Sequence, residues 1–244
     1  MGSGGDRHTN GHGGGHAAPS DPGSGRGEEP DQDDDAPENV EDLLGIALPT
    51  HEAGPAPAEV AELAAACERI VERAVGVRPD YTLETLPLVD HWLEGARGEV
   101  AVDVTRVIVQ AGGAYFGEVV RRRHPSWWAL GNGDPAEWEI QFESTYLSLR
   151  PVEVVREALR TREVADGDES FEDPAGDIAL LDIDEDDRAA VVARLAELPE
   201  VSEAEYRSLA TLIEVIDIAV ETARSRRMGA EEPEPSLEPE DYQR

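Results

Sequence analysis

Residues 99–123, EVAVDVTRVIVQAGGAYFGEVVRRR, and residues 126–149, SWWALGNGDPAEWEIQFESTYLSL, decide the fold. The first stretch is apolar almost all round. It reads as one buried central helix of about six turns, or as two helices meeting at Gly112-Gly113. Gly112, Gly113 and Gly117 each cost about 1 kcal/mol of helix propensity relative to Ala. The expected compensation is close approach of a strand or a second helix. Arg121, Arg122 and Arg123 then close the helix where cations suit its dipole. In the second stretch Trp138, Ile140 and Phe142 alternate with Glu137, Glu139, Gln141 and Glu143, giving one apolar face and one acidic, wet face. Gly131-Asn132-Gly133-Asp134 has hairpin-turn chemistry. Ser126–Leu130, Ala136–Glu143 and Thr145–Leu149 therefore read as a three-stranded antiparallel meander. Nine of the 12 aromatic residues lie between Tyr81 and Tyr146, which centres the packed core there.

Helical periodicity flanks this centre. Val60, Leu63, Ala64, Cys67, Ile70, Val71 and Ala74 share one face of a helix from Ala58 to Val75, with Gly76 as its stop. A second helix runs from about Glu84 to Ala96, with Pro87 in its first turn. Pro151 suits the N1 position of a helix reaching Glu163. Ile178–Ile183 reads as a fourth strand, followed by a helix over 185–198 capped by Asp184. Ser202-Glu203-Ala204-Glu205 is a capping box, and Tyr206, Leu209, Ile213, Ile216, Val220 and Ala223 form a heptad seam along a helix over 203–227. That seam docks on its own domain or on a second copy of the chain. The fold class is α+β: about six helices around a three- to four-stranded antiparallel sheet. Residues 58–227 form one domain with an acidic loop near 164–177. A disordered arm and linker (1–57) precedes it and a disordered acidic tail (228–244) follows.

The chain carries 54 acids, 21 Arg and no Lys, a formal charge of −33. The excess is uneven: residues 1–57 are net −10, residues 164–187 net −11 and residues 228–244 net −5. A nucleic-acid binder concentrates cations on one face, so that class is excluded, and a basic protein is the natural partner. No run is apolar enough for a membrane span or a secretory signal, which points to a cytoplasmic protein. Arg in place of every Lys, with abundant Ala, Gly and Pro, fits the codon bias of high-GC bacteria. Cys67 is the one cysteine, so no internal disulfide and no thiolate zinc site is expected, and its place in an apolar stripe makes it a buried hydrophobe.

Chemistry has few candidates. There is no phosphate loop, no HExxH pair and no nucleophile elbow, and no cofactor is expected. His8, His12 and His16 recur every four residues among glycines, a weak metal signal in a low-complexity arm. Asp90-His91 with His124 and Ser126 has the residue types of a triad without the elbow. Glu118, set among apolar residues, must be paired, hydrogen-bonded or protonated. It reads as a structural partner for an indole N–H or an Arg in the sheet. The other reading joins it with Tyr115 and Arg121 in a ligand pocket. In the acidic loop, Asp166, Asp168, Glu169, Glu172 and Asp173 are the candidate partner-binding residues.

The segments Tyr81–Asp90, Gly113-Ala114-Tyr115-Phe116-Gly117-Glu118-Val119-Val120-Arg121, Tyr146–Pro151 and Val201–Tyr206 occur in an order that resembles uncharacterised bacterial domain families. Those families share a GAY-x-GE helix followed by a small Trp-containing sheet. The resemblance spans about residues 77–224 and implies a common scaffold without implying an activity. Arg207 and Leu212 depart from it, standing where a second Tyr and an Arg are expected. The functional expectation is a non-enzymatic protein-interaction module, regulatory or immunity-like. The alternative is a small enzyme or small-molecule-binding domain with its pocket at the GAYFGE helix.

Overall fold

A computed structural model describes residues 53–98, 101–160, 178–198, 208–233 and 235–243. All of them belong to one unit, residues 48–244. His8, His12, His16 and the acidic residues Asp166, Asp168, Glu169, Glu172 and Asp173 lie outside the described residues, as does the 202–205 capping box.

Residues 102–123 form a single helix, α3 (Val102–Arg123), which runs unbroken through Gly112-Gly113. Every residue from Ala111 to Arg121 is buried, so this is the axis of the domain. Two helices flank it: α1 (Ala58–Val75), which ends at Gly76 in the left-handed conformation, and α4 (Pro151–Leu159). The glycines explain how α4 comes so close. A Cβ on Gly113 would lie 2.7 Å from Val152 Cα, inside the backbone of α4. Helix α2 (Leu86–Ala96) bridges α1 and α4 to the last helix, α6 (Leu209–Gly229).

The sheet is antiparallel in the order β1 (Ser126–Ala129), β2 (Glu139–Phe142), β3 (Leu147–Leu149), β4 (Leu181–Ile183). Its inner face carries Ile140, Phe142, Leu147, Leu149, Leu181 and Ile183 into the core. The strand expected over 136–143 is shorter, because Pro135–Glu137 forms a 3-10 turn capped by the Asp134 side chain. Helix α5 (Glu185–Leu195) follows β4 and is capped by Asp184, as expected.

One expectation needs correction. The last helix starts later than the capping box implied: Ser208 has an extended backbone and its side chain takes the Thr211 N–H, so α6 begins at Leu209. Its seam residues Leu209, Ile213, Ile216 and Ala223 are buried within the domain, together with Leu212, Val215 and Ala219. In the tail, the described residues 235–243 meet the domain. Leu237 is buried and donates to Glu143 O at 2.8 Å, and residues 239–242 form a 3-10 turn. This segment, with Trp127, covers the sheet face expected to be wet, and Gln141 is buried there against the Trp127 indole N–H.

Candidate functional site

Tyr115, Glu118 and Arg121 all project from the buried part of α3, and only two of the three reach one cleft. That cleft, about 360 Å3, is lined by residues 53–56 ahead of α1, by Ala61 and Ala64, and by Tyr81, Glu118, Arg121 and Arg122. Tyr115 lies behind Tyr81. Their rings stack at 4.6 Å, and the Tyr115 hydroxyl accepts the Tyr81 N–H at 2.8 Å. Burial raises the Tyr115 phenol above its ordinary value.

Glu118 is a sealed carboxylate. Its side chain is 3% exposed and accepts both Arg121 Nε at 2.8 Å and Nη2 at 2.9 Å, with Trp128 Nε1 donating at 2.8 Å. The expected indole partner is there, Trp128 of the sheet, while the guanidinium comes from Glu118's own helix rather than from the sheet. A carboxylate holding a two-pronged guanidinium and an indole N–H is committed to those partners.

Tyr81 is the residue that sequence reasoning missed. Its φ is +69°, a left-handed backbone that non-glycine residues adopt at a cost of about 1 kcal/mol or more. Its hydroxyl bonds to the buried Glu68 carboxylate, which also takes Arg78. Burial, then the hydrogen bond and charge of Glu68, raise the Tyr81 phenol well above its usual range. The Arg122 guanidinium stands over the Tyr81 ring, 3.6 Å from its centroid, and remains half-exposed. No signal short of the three-dimensional arrangement marks Tyr81, since left-handed Tyr has no sequence signature.

The other candidate groups disperse. Asp90 accepts the N–H groups of Leu209 and Ala210 at the start of α6, and burial raises its carboxyl despite those bonds. Ser126 donates its hydroxyl to His124 O, and His124 pairs with Asp217 at 2.8 Å, so no triad assembles. The three consecutive arginines serve different neighbours in part: Arg121 binds Glu118, Arg122 stands over Tyr81 with its Nε 3.9 Å from Glu118, and Arg123 binds Asp217. The Cys67 thiol is buried, and burial with the Glu68 charge beside it pushes its pKa up to about 12. Among the described residues no cluster of His, Cys, Asp or Glu has the geometry to hold a metal ion, and no helix is long and apolar enough to cross a membrane.

Among the described residues, one stretch of helix surface is apolar and exposed. The first two turns of α3 leave Val102 at 85%, Val104 at 50% and Val107 at 48% exposure, with only Asp103 and Arg106 as charged neighbours on those turns. From Ile108 onward the same helix enters the core. No family model, no curated protein and no solved structure matches this chain.

Proposed function

We propose that the chain is a protein-interaction module, regulatory or immunity-like, that engages a basic protein partner through the exposed start of α3. The observation that carries this reading is the valine surface at Val102, Val104 and Val107. Three β-branched residues on exposed helix turns lower helix propensity and leave apolar area in water, and a partner's apolar surface offsets both costs. Burial of such a patch on association contributes about 25 cal/mol per Å2 of apolar area. The net charge of −33 selects for Lys- and Arg-rich surroundings on that partner and speeds the encounter. The sealed state of Glu118 supports the same reading, because its carboxylate is spent inside the fold.

The test compares the full chain with a Val104→Asp/Val107→Asp variant as bait at low and high salt. A stoichiometric basic protein held by the wild type, weakened by salt and lost with the variant supports the proposal. Equal capture by both chains, or no stoichiometric partner, removes it.

A second reading rests on Tyr81. A left-handed Tyr beneath an exposed guanidinium, at the mouth of a cleft, is a strained arrangement of the kind that binding sites retain. On this reading the cleft takes a small anionic molecule, with Arg122 as the contact. A thermal-shift screen of anionic metabolites should then show a hit that Arg122→Ala abolishes. Absence of any hit, or a hit indifferent to that substitution, counts against it.

A further inference from the structure

The gap between β2 and β3 is filled by the chain's own residues. The register pairs Ile140 with Leu149 and Gln141 with Ser148, which makes Phe142 and Leu147 the next pair in line. Pairing stops before they meet. The hydroxyl of Tyr242 occupies the space between them, accepting Phe142 N–H at 3.1 Å and Leu147 N–H at 3.3 Å. It lies within donating distance of three carbonyl oxygens, Phe142 O at 2.8 Å, Thr145 O at 2.9 Å and Leu147 O at 3.0 Å. One proton serves one carbonyl at a time, so the hydroxyl is satisfied in every orientation.

The ring is held as closely as the hydroxyl. Trp127 meets it edge-on at 5.8 Å and Tyr146 lies 5.9 Å away. Aromatic walls accept any six-membered ring, whereas main-chain donors and acceptors at the tip distinguish a phenol from a phenyl. Five residues earlier Leu237 supplies a second anchor, its side chain buried and its N–H on Glu143 O. Between the anchors, residues 238–241 are exposed and organise themselves: Asp241 takes the Glu238 N–H on its carboxylate at 2.9 Å. The segment thus meets the domain at two side chains and keeps its own shape between them, which is how a linear peptide ligand binds.

We propose that this groove is a peptide site specific for tyrosine, occupied in cis by Leu237–Tyr242, and that it takes a peptide with Leu five residues before Tyr from a partner protein when the cis segment leaves. The cis segment is an internal competitor, and its departure frees the Phe142 N–H and the carbonyls of Phe142 and Leu147 together with the face of Trp127, while Leu147 N–H keeps its bond to Thr145 O.

The experiment uses the full chain carrying Tyr242→Ala and a synthetic peptide PSLEPEDYQR, with the peptide's Tyr replaced by Phe as control. Binding is followed by fluorescence anisotropy of the labelled peptide. The expected result is at least tenfold tighter binding to the variant than to the wild-type chain, and at least tenfold loss with the Phe peptide. No binding to a folded variant, or equal binding of the Tyr and Phe peptides, overturns the proposal. A wild-type chain that sediments as a dimer, dissociated by Tyr242→Ala, assigns the site to a second copy and overturns the partner form. Hydrogen exchange on the wild-type chain covers the case of a variant that does not fold. The Leu237 amide should exchange through a local opening, faster than the amides of α3. Exchange only with global unfolding would make the segment part of the core and end the proposal.

Discussion

Gly117 makes room for Trp128. A Cβ at position 117 would overlap the indole, with Pro151 Cγ 3.1 Å away on the other side. The indole fills that space, and from there its N–H reaches Glu118. Gly117→Ala displaces a large ring, and the ring's withdrawal also removes a hydrogen bond from a buried carboxylate. The expected cost is about 2–4 kcal/mol, from overpacking and the lost bond together. Chemical denaturation gives the stability, and the Trp emission spectrum should shift to the red as an indole moves toward water.

Gly113 and Gly112 separate backbone from side-chain crowding. At Gly113 the obstruction is the main chain of α4, at Val152 N and Cα, which cannot turn aside. At Gly112 it is the Val155 Cγ1 methyl at 3.1 Å, which needs to give only a few tenths of an ångström. Gly113→Ala should therefore destabilise by about 1–3 kcal/mol or more. Gly112→Ala should be close to neutral, since about 1 kcal/mol of helix propensity offsets the contact. Paired urea titrations test the contrast, and equal losses would show that α3 and α4 are not in such close contact.

The Glu118–Arg121 pair is costly to break from one side. Glu118→Ala leaves the Arg121 guanidinium buried without a counter-ion, for which about 3–5 kcal/mol is expected. The double variant Glu118→Gln/Arg121→Met should be the more stable of the two. Gln keeps an acceptor for Trp128, and no unpaired charge remains. Thermal unfolding of the single and double variants gives the comparison, and a double variant less stable than Glu118→Ala would refute the buried-charge account.

What could be read in the sequence follows from how many residues share each signal. Helix α3 was legible because 22 consecutive positions carry the pattern, and its glycines announced close packing, although not that α4 and Trp128 would supply it. Glu118 stood out as one carboxylate among apolar neighbours. The arginine run looked uniform because composition ignores the rotation of about 100° per residue that keeps Arg121 and Arg122 near Glu118 and sends Arg123 to Asp217 on another helix. The strap at 235–243 was hidden for the opposite reason. Its Glu, Asp and Pro residues read as disorder, and the two residues that anchor it, Leu237 and Tyr242, form no periodic pattern. Their partners are main-chain groups of a strand pair about a hundred positions away, which no local window contains.

Asp217 links α6 to the end of α3 and sets an acid limit on stability. Burial raises its carboxyl, but hydrogen bonds and charge from His124 and Arg123 outweigh burial, and the net shift is below the ordinary 3.8. Arg123 holds both carboxylate oxygens at 2.6 Å. A depressed folded value means that the ionised form is favoured by folding. Its contribution is therefore complete above about pH 4, near the unfolded value, and is lost as pH falls through the lower folded value. Asp217→Asn removes that contribution, and a loss of about 1.5–3 kcal/mol is expected at pH 7, the range for hydrogen bonds to charged groups. The difference in Tm between wild type and variant should shrink as the pH is lowered from about 4 toward 3. Melting curves between about pH 5 and pH 3 check it, and a difference that does not shrink over that range would mean that the Asp217 carboxyl does not titrate there with folding.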